Sequence, residues 1–299
     1  MSIPESQLET WAHQGAITSS KLTHERIRGV IDSSPVFKNK GVEIDTYLQG
    51  SYRNSTNIRG DSDVDIVVQL NSTYAYNIDQ LDVNERVWFD MELSPATYSW
   101  EEFKKDLIDV LEDYYGRLSI KVGNKSIKIL PGNGRLPADV VPSLQYRHYT
   151  QFTGESTDFV EGISFWTTKE NRQVINFPKV HYSNGVTKHQ NTREKYKAMI
   201  RIFKNARSYM HDKGLFDKSL APGYFIEGLL YNVPNNKFQS SYSNSMYEIL
   251  NWFHSADFTP FLCQNKQLYL FGSAPEQWQI KNAERFLSAI INLWNDWGK

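Results

Sequence analysis

The chain is nearly without cysteine: Cys263 is the only one in 299 residues. That excludes a disulfide framework and a cysteine-rich zinc site, and it fits a reducing compartment. No apolar run approaches the length of a membrane span. The opening Met1-Ser2-Ile3-Pro4-Glu5 lacks the basic-then-apolar pattern of a signal peptide, so a cytoplasmic protein is expected. Charge of one sign is lacking too. Lys and Arg total 33 against 34 Asp and Glu, a net charge of -1. Such balance argues against a bulk electrostatic grip on long DNA or RNA, whereas a small charged substrate needs only a local basic pocket. Aromatic residues are abundant, with 17 Tyr, 16 Phe and 8 Trp. Most are expected in the core, with a few free to stack on bases.

The most informative stretch is Ser62-Asp63-Val64-Asp65-Ile66-Val67-Val68, preceded by Gly50-Ser51. The apolar run reads as a strand. Side chains alternate along a strand, so Asp63 and Asp65 share one face while Val64 and Ile66 turn into a core. Two neighbouring carboxylates repel each other unless a cation lies between them. Mg²⁺ takes hard oxygen ligands and bridges carboxylates to substrate phosphates. A Gly-Ser turn can bring backbone N–H groups and a hydroxyl to a phosphate. Taken alone, an Asp-x-Asp pair is more often a solvated surface feature, and Asp61 shares the same parity. The strand context and the Gly-Ser turn favour a metal site. Asp90 and Glu92 have the same spacing, but no such turn accompanies them.

Two-metal phosphoryl transfer holds its ions about 3.5–4 Å apart, which calls for a third acid. Asp139, in Leu136-Pro137-Ala138-Asp139-Val140-Val141-Pro142, is the best candidate. Ile127 to Leu130 reads as a strand, and an antiparallel return after the turn Pro131 to Gly134 would carry Asp139 back beside its neighbours. A lone Asp there would otherwise cap a turn.

Elsewhere, residues 5–33 read as mostly helical and Val42 to Leu48 as a strand. Trp100 to Tyr115 reads as a helix, with Ser99 as N-cap and Glu102 completing a capping box. Strands at Ser119 to Val122 and Ser126 to Leu130 join through the hairpin signal Gly123-Asn124. Further strands are expected at Gln145 to Tyr149 and Gly162 to Thr167. From Thr192 to Asp212 a helix carries the stripe Tyr196, Met199, Ile200, Phe203 and Met210, with Arg201, Lys204 and Arg207 beside it. Thr192 caps it and Gly214 ends it. Helices follow at Tyr224 to Tyr231, Tyr242 to Ala256 and Glu276 to Trp297. Asn171 to Asn191, with Pro178 and Ser183-Asn184-Gly185, reads as the least structured connector, a linker or a lid. His148, His181 and His189 have no ligand spacing and read as structural or surface residues.

The run Leu48-Gln49-Gly50-Ser51-Tyr52-Arg53-Asn54-Ser55-Thr56-Asn57-Ile58-Arg59 through Asp65, with Ala138-Asp139-Val140-Val141-Pro142 downstream, resembles the nucleotidyltransferases of the polymerase-β superfamily. Within it the chain is most similar to the bacterial cGAS/DncV-like enzymes, the CD-NTases, in their CdnE-like clade. The resemblance spans nearly the whole chain. Trp11 to Ala16 is similar to the family's N-terminal helix. Tyr196 to Lys204 matches the helix with a triphosphate-binding lysine, here Lys204. Ala221 to Glu227 matches the next helix, with Tyr224 as a further nucleotide contact. Many relatives carry a phosphate-touching serine where this chain has Gly223.

The resemblance implies a bilobal α+β polymerase-β-like fold, with residues 1–170 as a mixed-sheet catalytic core and 171–299 as a helical domain closing a substrate cleft. It implies two Mg²⁺ or Mn²⁺ ions on Asp63, Asp65 and Asp139, with Gly50, Ser51, Lys204 and Tyr224 on the nucleotide. A ribose hydroxyl of one nucleoside triphosphate attacks the α-phosphate of another, pyrophosphate leaves, and a second attack closes a cyclic di- or trinucleotide. Arg53, Asn54 and Thr56 either brace this loop or make ordinary loop hydrogen bonds. The implied setting is CBASS antiphage signalling by a monomer, with a downstream cyclic-nucleotide effector and room for a regulatory partner of the HORMA or ubiquitin-like-machinery type. The clade's habit suggests a UMP-containing product. Two other readings compete: nucleotidyl transfer onto a macromolecule such as tRNA or protein, and a catalytically silent nucleotide sensor. The first predicts an extended basic face and the second a lost carboxylate. Base identity, linkage, ring size, trigger and effector are not legible in the sequence.

Overall fold

The computed structural model describes residues 2–15, 17–60, 63–132, 134–155 and 158–298. Met1, Ala16, Asp61 and Ser62, used in the sequence reading above, lie outside the described residues. In chain order the helices and strands are α1 (Glu5–Ala12), α2 (Thr18–Ser33), α3 (Pro35–Lys40), β1 (Ile44–Leu48), α4 (Gly50–Asn54), β2 (Val64–Asn77), α5 (Val83–Glu92), α6 (Trp100–Tyr115), β3 (Ile120–Val122), β4 (Ile127–Ile129) and β5 (Ala138–Tyr149). They continue with β6 (Phe159–Trp166), β7 (Gln173–Asn176), α7 (Pro178–Asn191), α8 (Lys195–Asp212), α9 (Gly223–Tyr231), α10 (Tyr242–Ser255) and α11 (Ile280–Asn295). Two units emerge. One comprises Ile17–Tyr52 and Ser62–Val180, the other Met1–Ala16, Arg53–Asp61 and His181–Lys299.

The first unit is built on a mixed sheet in the order β1-β2-β5-β4-β3, with β6 pairing β5 and β7 pairing β6. Only the β2–β5 pair among these is parallel. β2 is longer than the apolar run suggests, because a bulge between Leu70 and Tyr74 lets it continue alongside the end of β5. β3 and β4 pair antiparallel, as the Gly123-Asn124 signal predicts. α6 packs on this sheet. Its capping box forms as expected: Glu102 N–H donates to Ser99 Oγ, and Ser99 N–H to Glu102. Phe103, Leu107 and Leu111, at spacings of four, are fully buried in the same core as Val64, Ile66 and Val140.

α5 is a helix that the sequence reading passes over. A second capping box, Asp82 with Glu85, opens it. Asp90 and Glu92 therefore sit on a helix, where an i, i+2 pair does not share a face.

In the helical unit, α8 buries Tyr196, Met199, Ile200, Phe203 and Met210 as expected, within a core that also takes Leu8 and Trp11 of α1. The helix starts at Lys195 rather than at Thr192, after a left-handed Glu194; Thr192 Oγ1 accepts from Tyr196 N–H from the preceding turn, and Gly214 ends the segment at φ +70°. α11 begins at Ile280 rather than at Glu276, because the Trp278 N–H is committed to Leu270 O. The segment Asn171 to Asn191, read from sequence as the least structured connector, is instead built mostly of regular structure. Gln173–Asn176 forms β7, and Pro178 opens α7 at a position where its missing N–H costs nothing. Ser183-Asn184-Gly185 lies inside that helix. Asn184 Nδ2 donates to Gln264 O, and Gly185 is pressed against the Gln264 side chain so closely that no Cβ would fit. Tertiary packing overrides the local turn preference.

Leu107→Ala should lower the stability of the sheet unit by about 2–5 kcal/mol. The check is the urea midpoint, and a shift worth less than about 1 kcal/mol would mean that α6 is not docked through this residue.

Candidate active site

The parallel register sets Asp65 of β2 directly beside Asp139 of β5, with Val64 against Ala138 and Ile66 against Val140. Paired residues of neighbouring strands share a face. The four apolar residues turn into the core and the two half-buried carboxylates turn out together. β4 extends the row: Lys128 is the register partner of Asp139, and its Nζ lies 3.5 Å from Asp139 Oδ1. Ser126 Oγ donates to the same oxygen at 3.2 Å. Neither Ser126 nor Lys128 was singled out from sequence, although their two-residue spacing on the hairpin strand puts them on the face of Asp139. Asp63 lies one residue ahead of β2 and is exposed. Among the described residues, no three His, Cys, Asp or Glu side chains converge as a set that could hold an ion.

The Gly-Ser turn is tied to this edge by its backbone. Gln49 N–H donates to Asp65 O at 2.9 Å. Gly50 follows at φ +66°, and a Cβ there would run into Asp65 Oδ2. Glycine is therefore required twice over, by its dihedral and by the carboxylate it faces. The carboxylates of Asp65 and Asp139 are hard-oxygen donors, the ligand type that Mg²⁺ or Mn²⁺ takes. Ser51 is half-buried in the first turn of α4.

Lys204 and Tyr224 belong to the helical unit, and their surroundings were not foreseen. Lys204 is 3% exposed. Its Nζ lies 2.8 Å from Glu227 Oε1 and donates to Thr56 O at 3.2 Å and Thr56 Oγ1 at 3.3 Å. Glu227 also accepts from Thr56 Oγ1 at 2.5 Å, Asn54 Nδ2 at 3.1 Å and His181 Nε2 at 3.0 Å. Burial pushes the Glu227 carboxyl pKa up. The charges and hydrogen bonds of Lys204 and His181 outweigh it and hold the group well below the usual carboxylate range. Of the two readings left open for Asn54 and Thr56, the structure shows side chains hydrogen-bonded to one buried acid. Arg53 instead stacks over the Tyr182 ring at 3.9 Å.

His181 is a buried structural residue whose ring stacks on Tyr224, with centroids 5.2 Å apart. Burial raises the Tyr224 phenol well above its ordinary value, so that it is a neutral hydrogen-bonding group. Gly223 packs on Lys204, where a Cβ would come within 3.0 Å of the Lys204 Cε. His148 makes a hydrogen bond with Gln80, and His189 accepts one from the Lys197 N–H.

A mixed sheet with paired strand-borne carboxylates, accompanied by a helical unit, is the architecture of a nucleotidyltransferase. Residues 183–295 match the cGAS/DncV-like nucleotidyltransferase C-terminal helical domain. The chain is 46% identical over 299 residues to the cyclic UMP-AMP synthase of Rhodothermus marinus, covering 100% of both chains. It is 41% identical to the cyclic nucleotide synthase CdnE01 of Staphylococcus haemolyticus, over 99% of this chain and 100% of that one. The solved structure of the Rhodothermus marinus CdnE c-UMP-AMP synthase with Apcpp and Upnpp superposes with a TM-score of 0.90 at 45% identity, covering 99% of this chain and 98% of that chain. The chain belongs to the CdnE-type cyclic nucleotide synthases of the cGAS/DncV-like nucleotidyltransferase family. Among the described residues no helix is long and apolar enough to cross a membrane.

Gly50→Ala should reduce nucleotide turnover by about 10²-fold or more, because the new methyl displaces Asp65. Steady-state assays alongside a melting curve check this. Wild-type turnover in a folded variant would show that the close approach of residue 50 to Asp65 is not needed.

Proposed function

We propose that the protein condenses ribonucleoside triphosphates into a UMP-containing cyclic dinucleotide, with cyclic UMP-AMP the expected product. The observation that carries this reading is the placing of Asp65 beside Asp139 at the Gly50-Ser51 turn. The product assignment rests on the 46% identity to a cyclic UMP-AMP synthase. The reaction joins a 2′- or 3′-hydroxyl oxygen to an α-phosphorus. The bond to the bridging oxygen breaks and pyrophosphate leaves with the electron pair. A second such transfer closes the ring.

Asp63, Asp65 and Asp139 are the residues that would hold two Mg²⁺ or Mn²⁺ ions. Such ions, when bound, neutralise triphosphate charge and lower the pKa of the attacking hydroxyl. The protein contributes position and charge rather than covalent chemistry. Gly50, lacking a Cβ, lets the Asp65 carboxylate lie against the turn, and Ser51 offers a hydroxyl to the triphosphate. Lys128 draws on Asp139 from the opposite side and limits the repulsion within the carboxylate row. The physiological role proposed is that of a cytoplasmic, monomeric source of a second messenger in antiphage (CBASS) signalling, read by a separate effector.

The test is to incubate the purified protein with Mg²⁺ or Mn²⁺ and all four ribonucleoside triphosphates, treat with phosphatase, and identify resistant products by mass spectrometry. A cyclic product holding one uridine and one adenosine supports the assignment, and a different base pair replaces it. Label transferred to added tRNA, with no small product, would favour a macromolecular acceptor. Asp65→Asn and Asp139→Asn should each lower turnover by about 10²-fold or more with the fold kept. EDTA should abolish activity, and Mg²⁺ or Mn²⁺ should restore it. Turnover that survives either change would remove the carboxylate–metal reading.

A further inference from the structure

Asp139 stands between two strands that treat it differently. On the β2 side its register partner is Asp65, a like charge. On the β4 side its register partner is Lys128, with Nζ 3.5 Å from Oδ1. Ser126 lies two residues before Lys128, on the same face, and donates its hydroxyl to that same oxygen at 3.2 Å. Among the described residues, both of these polar partners of the Asp139 carboxylate meet Oδ1 and none meets Oδ2. The last torsion of an aspartate is broad and nearly two-fold, so a partner on one oxygen is what selects the plane of the carboxylate. The two partners are not equal in this. The Lys128 side chain is 53% exposed, where an ion pair is worth little. A hydroxyl bonded to a half-buried carboxylate is a directional, charge-assisted contact.

The hairpin that carries Ser126 is short. β3 and β4 have three residues each, and β3 is the terminal strand of the sheet path. A ribbon of that length is marginal without further support. Its tip is held by the turn that joins β6 to β7. Asn124 O accepts from Thr168 N–H at 2.9 Å, Asn124 Oδ1 accepts from Lys169 N–H at 2.9 Å, and Asn124 Nδ2 donates to Glu170 Oε2 at 3.1 Å. Thr168 Oγ1 donates to Gly123 O at 3.0 Å and accepts from Lys104 Nζ of α6 at 2.9 Å. Asn124 is not among the residues with positive φ, so the turn uses its side chain rather than a left-handed backbone. Between the tip and Ser126 the backbone is closed. Gly123 N–H donates to Ser126 O at 2.8 Å, and a Cβ on Gly123 would come within 2.9 Å of that oxygen.

We propose that Ser126 is a positioning residue for Asp139, held in place by a turn-to-turn latch through Asn124, and that it fixes the carboxylate plane so that Oδ2 is the oxygen presented to a divalent cation. Lys128 supplies charge compensation to Oδ1 and little orientation. The part of Ser126 in cation binding rests on the synthase reading above; the latch does not.

The test uses the full-length protein and Mn²⁺ as the probe. Binding of Mn²⁺ without nucleotide is read from the electron paramagnetic resonance signal of the free ion. The Mn²⁺ concentration for half-maximal turnover is measured separately, at saturating ribonucleoside triphosphates. Ser126→Ala should raise the Mn²⁺ dissociation constant and the half-saturation point by about tenfold, the usual cost of losing a hydrogen bond behind a metal ligand. Its kcat at saturating Mn²⁺ should stay within about threefold of wild type, because the cation, once bound, acts on the same carboxylates. Ser126→Thr keeps the hydroxyl and should recover most of the affinity. Lys128→Met should shift the dissociation constant by less than about threefold. Asn124→Ala should speed hydrogen exchange in peptides spanning residues 120–130 while α6 keeps its protection, and should weaken Mn²⁺ binding in the same direction as Ser126→Ala.

A wild-type dissociation constant in Ser126→Ala would overturn the positioning role. A loss that Ser126→Thr does not recover would assign the effect to hairpin packing and overturn it as well. Unchanged exchange over residues 120–130 in Asn124→Ala would overturn the latch. Wild-type protein that binds no Mn²⁺ would overturn the carboxylate–metal reading, and the positioning role with it, leaving exchange to decide the latch alone.

Discussion

The parallel pairing of β2 with β5 is the constraint on which the site depends. Parallel neighbours cannot be joined by a tight turn, and here the crossover is supplied by α5, α6 and the β3–β4 hairpin. The register that buries Val64, Ile66, Ala138 and Val140 is the same one that sets Asp65 against Asp139. A slip of β2 by one residue would turn Asp65 into the core and Val64 and Ile66 out, so the pairing is protected by the hydrophobic energy of the sheet. The protein thereby keeps two like-charged side chains on neighbouring strands of one sheet face. Lys128 pairs with one of them, from an exposed position where an ion pair is worth little. Under the proposed function, a cation bound between the two carboxylates would relieve repulsion at this edge of the sheet.

The second unit solves the opposite problem. Glu227 and Lys204 are oppositely charged and buried, so desolvation sets the difficulty and complete hydrogen bonding answers it. A pair like this adds little net stability over an apolar substitute, but removal of either partner leaves a stranded charge. It therefore specifies one arrangement of the segment around Thr56 rather than strengthening the fold in general. The left-handed Ser55 is a sign of that specification, since an unclamped serine would relax.

Legibility in the sequence followed the range of the interactions. Where the signal was local, residues alone were enough. The Ser99–Glu102 box, the Gly123 hairpin, the α8 stripe and the alternation of Asp63 to Val68 all depend on neighbours within a few positions, and each element appeared where the pattern placed it. Asp139 was reachable because one hairpin return decides its place. The failures were nonlocal. Ser183-Asn184-Gly185 has turn chemistry, and only Gln264, some eighty positions away, makes it helical. α5 did carry a readable Asp82–Glu85 box, but Phe89 is the only residue of the helix that is buried, so there was no apolar stripe to confirm it. Glu227 was invisible as a hub because its donors come from Asn54, Thr56, His181 and Lys204, four places with no sequence relation to one another.

Gly223 connects these observations. The family resemblance puts a hydroxyl-bearing serine at this position in many relatives, and its absence here looks at first like a lost phosphate contact. In this chain a Cβ at residue 223 would lie within 3.2 Å of Lys204 Nζ and closer still to Cε. That is tighter than an unstrained contact while Lys204 keeps its contacts with Glu227 and Thr56. A side chain at 223 and Lys204 in this position compete for the same space. The glycine and the Glu227–Lys204 pair are therefore one arrangement, in which the space of a side chain at the start of α9 is given up to the lysine.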